Sequence, residues 1–168
     1  MSIDPKVFRS SLGRFATGVT VVTIPGKAGR RGMTANAFSS LSLAPPLVLV
    51  CFDLGAASLP LLREAGKFAV NFLAEAQKSV SDWFAGKGRD AADQFAEIPH
   101  EPGENGTPLL KGTLGFLECD LHAEHPGGDH SIVVGRVTRV VIEDEVRPPL
   151  MFYASAYRKM DMNGAYED

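Results

Sequence analysis

The sequence predicts a mainly β fold, built as a closed or nearly closed antiparallel barrel. Two observations lead to this prediction: strand patterns outnumber helical patterns, and they follow one another at short spacing with turn signals between them. Closing such a sheet removes the exposed edges that an open antiparallel sheet would leave. The length of 168 residues fits one domain, in which roughly two-thirds of the unfolded chain's surface is buried.

The first predicted elements are a short helix and a strand. Asp4 is a favourable N-cap, and Pro5 suits the first helical position. Residues 19–24, VTVVTI, predict a strand, and the Pro and Gly residues of 25–32 turn the chain back. The helix is expected to end near Gly18, and its apolar positions at helical spacing are Val7, Phe8, Leu12 and Phe15.

Residues 32–52 form the most informative stretch, GMTANAFSSLSLAPPLVLVCF. Its first half predicts a strand over 33–42 of small and hydroxyl-bearing residues, and its second half predicts a buried apolar strand over 46–52. Ala44-Pro45-Pro46 turns the chain between them. A strand with many polar donors and little bulk makes a wall for a flat ligand with polar edges. The alternative is an ordinary edge strand whose Ser and Thr side chains face water.

The rest of the chain is predicted from the same signals. Its elements, in chain order, are a short helix from Ser58 or Pro60, a strand over 67–73, two short helices within 75–97, a loop over 99–108, a strand pair over 109–123, the longest strand over 131–142, a C-terminal segment from 148 and a frayed end over 160–168. The pair Trp83-Phe84 is either helix core or an aromatic lid over a ligand.

Charge and composition exclude several classes of protein. A net charge of −3 is not that of a dedicated nucleic-acid-binding protein, and the one basic cluster, residues 27–31, predicts a solvated hairpin tip. The N-terminus lacks the apolar core of a signal peptide, and no apolar run reaches membrane-spanning length. We therefore expect a cytoplasmic protein that contacts no membrane, with Cys51 and Cys119 as reduced core residues.

Several catalytic signatures are absent from the sequence. It has no GxGxxG after a strand, no P-loop and no GxSxG. His122 and His125 would point to opposite faces of a strand, which disfavours a metal site. Gly128-Asp129-His130 precedes the longest strand and would place an imidazole at the mouth of the barrel, oriented by Asp129. The alternative is that Asp129 and His130 only cap the turn.

Five segments occur together in a family-specific order. They are RFATGVTVVT from Arg14, the 32–52 stretch, FAVNFL from Phe68, Gly128-Asp129-His130, and PLMFY from Pro149. In this order the chain resembles the flavin reductase-like family of short-chain NAD(P)H:flavin oxidoreductases, which serve as reductase components of two-component flavin monooxygenases. The resemblance covers about residues 5–158 of a single domain, 1–168.

The resemblance implies an FMN-binding split β-barrel with a Greek-key core, short flanking helices, and FMN or FAD bound near the interface of a homodimer. Residues 33–36 would line the isoalloxazine edge, and Ser58 would hold the phosphate at the start of a helix. The segment 55–60 has only this one hydroxyl, unlike the Ser/Thr-rich stretch of many relatives. The full set of implied cofactor-binding residues is Met33, Thr34, Ala35, Asn36, Ser39, Ser40, Cys51, Phe52, Asp53, Ser58, Asn71, Phe72 and Lys87.

The same resemblance places His130 beside the nicotinamide of NADH or NADPH. Hydride then passes directly from nicotinamide C4 to flavin N5, so the protein's task is to stack two rings. The implied function is flavin reduction that supplies a partner oxygenase. Two alternatives are a flavin carrier or redox sensor without turnover, and a pyridoxamine-phosphate-oxidase-like enzyme, which would need a more basic phosphate pocket than residues 55–63 offer.

Overall fold

The computed structural model describes residues 3–26, 29–88 and 91–164. Within these ranges the helices are α1 (Pro5–Leu12), α2 (Ser58–Ala65) and α3 (Lys78–Asp82), with a 3-10 turn (Glu75–Gln77) before α3 and a π-helical turn (Trp83–Lys87) after it. The strands are β1 (Thr17–Gly18), β2 (Thr20–Ile24), β3 (Arg31–Ala35), β4 (Phe38–Leu43), β5 (Pro46–Asp53), β6 (Lys67–Phe72), β7 (His100–Pro102), β8 (Pro108–Leu110), β9 (Gly115–Gly127), β10 (His130–Ile142), β11 (Met151–Tyr153) and β12 (Ala156–Arg158).

Seven strands form one antiparallel sheet in the order β3-β2-β6-β9-β10-β5-β4. Its two edge strands, β3 and β4, are consecutive in the chain and are separated only by Asn36 and Ala37. In a flat sheet these edges would lie roughly 29 Å apart, at about 4.8 Å per strand, whereas a two-residue link spans about 10 Å. The sheet is therefore curled, and the predicted mainly β, antiparallel fold is confirmed.

The main core lies between this sheet and α2. Val22, Val50, Phe52 and Phe68 are fully buried there. They come from the predicted apolar strands β2, β5 and β6, which the curled sheet brings to one core. Leu59 and Leu62 share one face of α2 and complete the same cluster. This packing fixes α2 on the sheet with its N-terminus just after β5.

A second apolar cluster packs Val80, Phe84, Phe95 and Ile98 against β2 and the C-terminal segment. Phe84 and Phe95 pack with ring centroids 5.2 Å apart, and both are buried with Val21, Leu73 and Leu150. Phe84 is thus a core residue. This agrees with the interpretation of Trp83-Phe84 as core, one of the two that the sequence left open.

The N-terminal helix is shorter than predicted. It ends at Leu12, after which the Gly13 N–H bonds to the Arg9 carbonyl and the Arg14 N–H bonds to the Ser11 carbonyl. The chain then forms β1, which pairs with Met151 and Phe152 in β11. Helical periodicity continued through Phe15, but this pairing with a distant strand is not visible in a local pattern.

Three further predictions need correction. The single polar strand over 33–42 is two strands, β3 and β4. The second helix within 75–97 is wrong, because Asp93 bonds through its side chain to the N–H of Phe95 and so favours a turn over helix. The loop over 99–108 contains β7, which pairs with β8.

Helix α1 buries none of its residues within the chain. Phe8, Leu12 and Phe15 are 54%, 59% and 76% exposed. The apolar face predicted from the sequence is therefore present but exposed in the single chain. Every helix in the described ranges is too short or too polar to cross a bilayer.

Both cysteines are free thiols, with Cys119 buried and Cys51 half-buried. Burial raises the pKa of Cys119 to about 12, which leaves this thiol protonated and unreactive at neutral pH.

Candidate functional site

A cavity of about 530 Å³ opens between β3, the start of α2 and the π-helical turn. One wall is β3, the floor is the segment that joins β5 to α2, and the opposite wall consists of Phe84, Ala85, Gly86 and Gln94. The lining residues are Arg31, Gly32, Met33, Thr34, Asp53, Gly55, Ala56, Ala57, Ser58, Phe84, Ala85, Gly86 and Gln94.

The floor presents the N-terminus of α2. Its N-cap residue, Ala57, makes no side-chain capping bond, so the first N–H groups of the helix lack the usual side-chain acceptor. Ser58 is buried, with its Oγ 3.6 Å from Met33 Sδ. Arg31 adds a guanidinium to the same cavity. Free helix N–H groups and a nearby cation together favour an anionic ligand.

The β3 wall directs its main-chain groups into this region. The Gly32 N–H donates to Gln94 Oε1 at 3.0 Å, so it points away from the neighbouring strand β2. In an antiparallel ladder this direction repeats every second residue, and the main-chain groups of Thr34 therefore point the same way. The Thr34 hydroxyl is engaged elsewhere, since it donates to the Ser81 carbonyl at 2.6 Å.

The Gly128-Asp129-His130 turn lies beside the cavity floor. His130 pairs across the sheet with Asp53, and the Leu54 N–H donates to the Asp129 carbonyl at 3.1 Å. Gly128 has a φ of +75°, which a glycine adopts at little cost. His130 Nδ1 lies 2.7 Å from Asp129 Oδ1, and this contact lowers the pKa of Asp129. The imidazole is thus oriented by its neighbour and half-exposed.

A second cavity, of about 350 Å³, lies at the far end of β3. Asn36 and Phe72 line it together with Phe38, whose ring packs edge-to-face on Phe72 with centroids 5.6 Å apart. The predicted ligand residues are therefore divided between two cavities along β3. Met33, Thr34, Asp53 and Ser58 line the first cavity, and Asn36 and Phe72 line the second.

The remaining predicted site residues do not line either cavity. Ser39 and Ser40 are exposed on the edge strand β4, and the Ser39 hydroxyl donates to the Ser40 carbonyl. Ala35 is buried and Cys51 is half-buried, with the Cys51 N–H bonded to the Ala37 carbonyl. The side chain of Lys87 lies outside the described part of the structure.

Two predicted contacts require correction at the level of the side chain. Phe52 is completely buried in the main core, so only its main chain can face a ligand. Asn71 is also completely buried: its amide donates to the Val21 carbonyl and Thr23 Oγ1, and accepts from the Leu110 N–H. Asn71 therefore connects strands of the fold instead of contacting a ligand.

Sequence reasoning missed Arg31 and Gln94. The prediction of a solvated hairpin tip is wrong for both arginines: Arg31 lines the first cavity, and Arg30 pairs with Asp93 at 2.9 Å. Residues 27 and 28 of the same cluster lie outside the described residues. Arg31 is two residues before Met33, and this period of two was the available signal. No local pattern marks Gln94, which reaches the cavity through tertiary packing. No group of three or more potential metal ligands occurs among the described residues.

Comparison with known proteins gives one family. The flavin reductase like domain matches residues 12–161. The chain is 44% identical to the reductase component of 4-hydroxyphenylacetate 3-monooxygenase from Thermus thermophilus, covering 92% of this chain and 96% of that one. It is 40% identical to an NADH-dependent flavin reductase from Rhodococcus sp, covering 98% and 94%.

Solved structures agree. The NADH:FAD oxidoreductase SgcE6 from Streptomyces globisporus C-1027, in complex with NAD and FAD fragments, superposes with a TM-score of 0.89 at 37% identity. The alignment covers 98% of this chain and 99% of that one. With this match over nearly its whole length, the chain belongs to the flavin reductase-like family.

Proposed function

We propose that this protein uses NADH to reduce FMN or FAD and supplies the reduced flavin to a partner oxygenase. The observation that carries the proposal is the first cavity. It combines an anion-binding helix N-terminus, a strand with outward main-chain groups, and an oriented imidazole at its edge. A ligand with a phosphate, a polar-edged flat ring and a neighbouring nicotinamide suits this combination.

The residues fit a flavin with its phosphate at the start of α2. The N–H groups of Ala57 and Ser58, the Ser58 hydroxyl and the Arg31 guanidinium would hold the phosphate. Main-chain groups of Thr34 and Asn36, which point away from β2, would bind the polar edge of the ring. From Arg31 to Asn36 the strand spans roughly 16 Å, at about 3.3 Å per residue. The two cavities along this strand would then serve opposite ends of one extended ligand.

When bound, the flavin accepts hydride at N5 from nicotinamide C4. The chain contributes binding and orientation, so no acid or base is required at the reacting atoms. We assign His130 to the nicotinamide, because it stands opposite Asp53 at the edge of the cavity and Asp129 fixes its ring. Accurate stacking of the two rings raises the rate by placing their reacting atoms in contact.

We further propose that residues 1–168 form a single split-barrel domain and that two copies form a homodimer. The curl that brings β3 to β4 supports closure of the barrel. The exposed apolar side chains of α1, together with Leu41 and Leu43 on the edge strand β4, support the dimer. Large exposed apolar patches typically mark interfaces.

The two alternatives lack comparable support. A protein that only carries flavin does not need an oriented imidazole beside the cavity. A pyridoxamine-phosphate-oxidase-like enzyme would bind its phosphate with several basic groups, whereas Arg31 is the one basic residue among those that line the described cavity.

The test is oxidation of NADH and NADPH by the purified protein, with and without FMN, FAD or riboflavin. We expect NADH oxidation that depends on added flavin and saturates with it. Stoichiometric flavin binding without NADH oxidation would instead support the carrier.

A further inference from the structure

Two opposite walls of the first cavity are joined by one side chain, that of Gln94. Its Oε1 accepts from the Gly32 N–H at 3.0 Å, and its Nε2 donates to the Gly88 carbonyl at 3.2 Å. Gly32 belongs to the β3 wall, and Gly88 directly follows the turn that supplies the opposite wall. The Gln94 carbonyl also accepts from the Trp83 indole N–H at 2.9 Å. Gln94 is 5% exposed, so these bonds are shielded from water.

The two glycines allow the walls to approach this closely. A Cβ on Gly32 would overlap the Phe84 ring, and a Cβ on Gly88 would overlap the Trp83 ring. Each aromatic residue of the Trp83-Phe84 pair therefore packs on a glycine. The spacing of the walls is set by ring-on-backbone contacts and by one carboxamide that can bond to both sides.

A second set of contacts, which does not involve the Gln94 side chain, connects residues 93–100 to Arg30 at the start of β3. Arg30 bonds to Asp93 at 2.9 Å and to His100 Nε2 at 2.5 Å, and its guanidinium lies 5.4 Å from the centroid of the Phe95 ring. These contacts hold residues 93–100 to the start of β3 without entering the cavity. Loss of the Gln94 side-chain bonds would thus leave the segment attached but free to change its distance from β3.

We propose that Gln94 is a positioning residue that sets the width of the flavin cavity. It acts through Gly32 and Gly88 and so holds the β3 main chain at the distance a flavin needs. This inference rests on the proposed flavin site. It also explains why Gln94 is a cavity residue although it lies far from β3 in the sequence.

The test compares two glutamines that make the same kind of bridge. Gln77 accepts from the Ala74 N–H at 3.1 Å and donates to the Lys111 carbonyl at 2.9 Å, and it does not line the cavity. Gln94→Met and Gln77→Met both preserve side-chain length while removing the two bonds. Trp83 is the single tryptophan of the chain, and its indole bonds to the Gln94 main-chain carbonyl, so its fluorescence reports on flavin binding in the adjacent cavity.

We expect Gln94→Met to raise the flavin KM and the dissociation constant from Trp83 quenching about tenfold, because Gly32 and Gly88 lose the carboxamide that joins them. The kcat at saturating flavin should stay within about twofold. Gln77→Met should lower the Tm without changing flavin affinity. Unchanged flavin affinity in Gln94→Met, or equal weakening in both variants, would overturn the inference.

If Gln94→Met does not fold, Gln94→Glu provides the same test. It keeps the size of the side chain and the acceptor for Gly32 but cannot donate to Gly88. Riboflavin is the probe for this variant, since it carries no phosphate for the new charge to repel. We expect its KM to rise about threefold, and no rise would overturn the inference. A wild-type protein that fails to oxidise NADH with flavin would refute the proposed function itself, which separates the two failures.

Discussion

The strands β3 and β4 have similar composition and opposite surroundings. Both come from one polar, small-residue stretch, yet β3 forms the wall of an enclosed cavity while β4 is largely exposed. The difference lies in what covers each edge of the sheet. Ser81, Phe84 and Gln94 cover β3. In contrast, Ser39, Ser40 and Leu43 on β4 are exposed. A shared sequence pattern therefore does not decide whether a polar strand binds a ligand.

The largest expected effect concerns the uncovered strand. Leu43 is 96% exposed, and we expect Leu43→Glu to weaken the proposed homodimer by about a hundredfold, because a carboxylate at an apolar interface loses its hydration. Sedimentation equilibrium measures this change. Val146, which is 83% exposed and lies after β10, is the control: Val146→Glu should leave the dimer intact. A stable Leu43→Glu dimer would show that β4 faces water and not a second copy.

The next prediction compares the effect on stability of one alanine substitution in each of the two strands. Gly32→Ala places a methyl group against the Phe84 ring, and this overpacking should lower the free energy of unfolding by about 2 kcal/mol. Ser40→Ala on exposed β4 should change it by less than about 0.5 kcal/mol. Urea denaturation of both variants gives the comparison. Similar stability of the two would mean that the cavity wall yields readily to added volume.

Side-chain hydroxyls on the two strands should differ in the same direction. Thr34→Val removes the bond from Thr34 Oγ1 to the Ser81 carbonyl and should lower the free energy of unfolding by about 1 kcal/mol. Ser39→Ala removes an exposed bond to the adjacent carbonyl, and thermal unfolding should hardly change. A Ser39→Ala variant that is the less stable of the two contradicts this ranking.

The enclosed side should also carry the chemistry. His130→Ala should raise the KM for NADH about fivefold, the cost of roughly one hydrogen bond, while flavin affinity stays unchanged. Stopped-flow reduction of the flavin-loaded variant over a range of NADH concentrations measures this effect. Unchanged reduction kinetics would leave His130 as a residue that only caps its turn.

The smallest expected effect is a pH dependence of stability that arises from an ion pair at the C-terminal end of α2. Arg63 on α2 binds Glu124 at 2.5 and 3.0 Å, and Ser131 also donates to this carboxylate. Hydrogen bonds from Arg63 and Ser131 lower the pKa of Glu124 to about 2. Because the pKa of Glu124 is lower in the folded chain than in the unfolded one, the ionised carboxylate stabilises the fold at any pH above the ordinary pKa of a glutamate. This contribution is lost as the pH falls toward 2.

Because Arg63 is half-exposed, solvent screening keeps this contribution below about 1 kcal/mol. Chemical denaturation from about pH 5 to about pH 2 covers both pKa values of Glu124. Over this range the free energy of unfolding should fall less steeply for Glu124→Gln than for the unmodified chain. Equal slopes would show that the ion pair does not couple α2 to β9.

Particular residues show how far the sequence could predict the site. Met33, Thr34, Asp53 and Ser58 were predicted from the family resemblance, and the structure brings them to one cavity. Asn71 was predicted from the same resemblance, yet its amide serves the fold. A motif records that a residue type occurs at a position but does not reveal whether its hydrogen bonds go to a ligand or to a neighbouring strand.

Local patterns succeeded where a short segment determines its own structure. Asp4 and Pro5 begin α1, and the apolar run of β5 buries Val48, Val50 and Phe52 while the alternate residues are half-buried. The helix expected around residues 91–97 failed because Asp93 bonds to the backbone two residues ahead. Such a side-chain bond competes with helix formation in a way that helical periodicity does not reveal.

The sequence by itself determined the mainly antiparallel fold, the family and the strand that carries the ligand wall, because alternating and apolar runs fix local structure. Only the tertiary structure decided which half of the polar stretch is enclosed and that Arg31 and Gln94 belong to the cavity. The physical reason is that enclosure depends on contacts between residues distant in the chain. Gln94 reaches Gly32 across 62 positions, and no local pattern encodes a hydrogen bond at that separation.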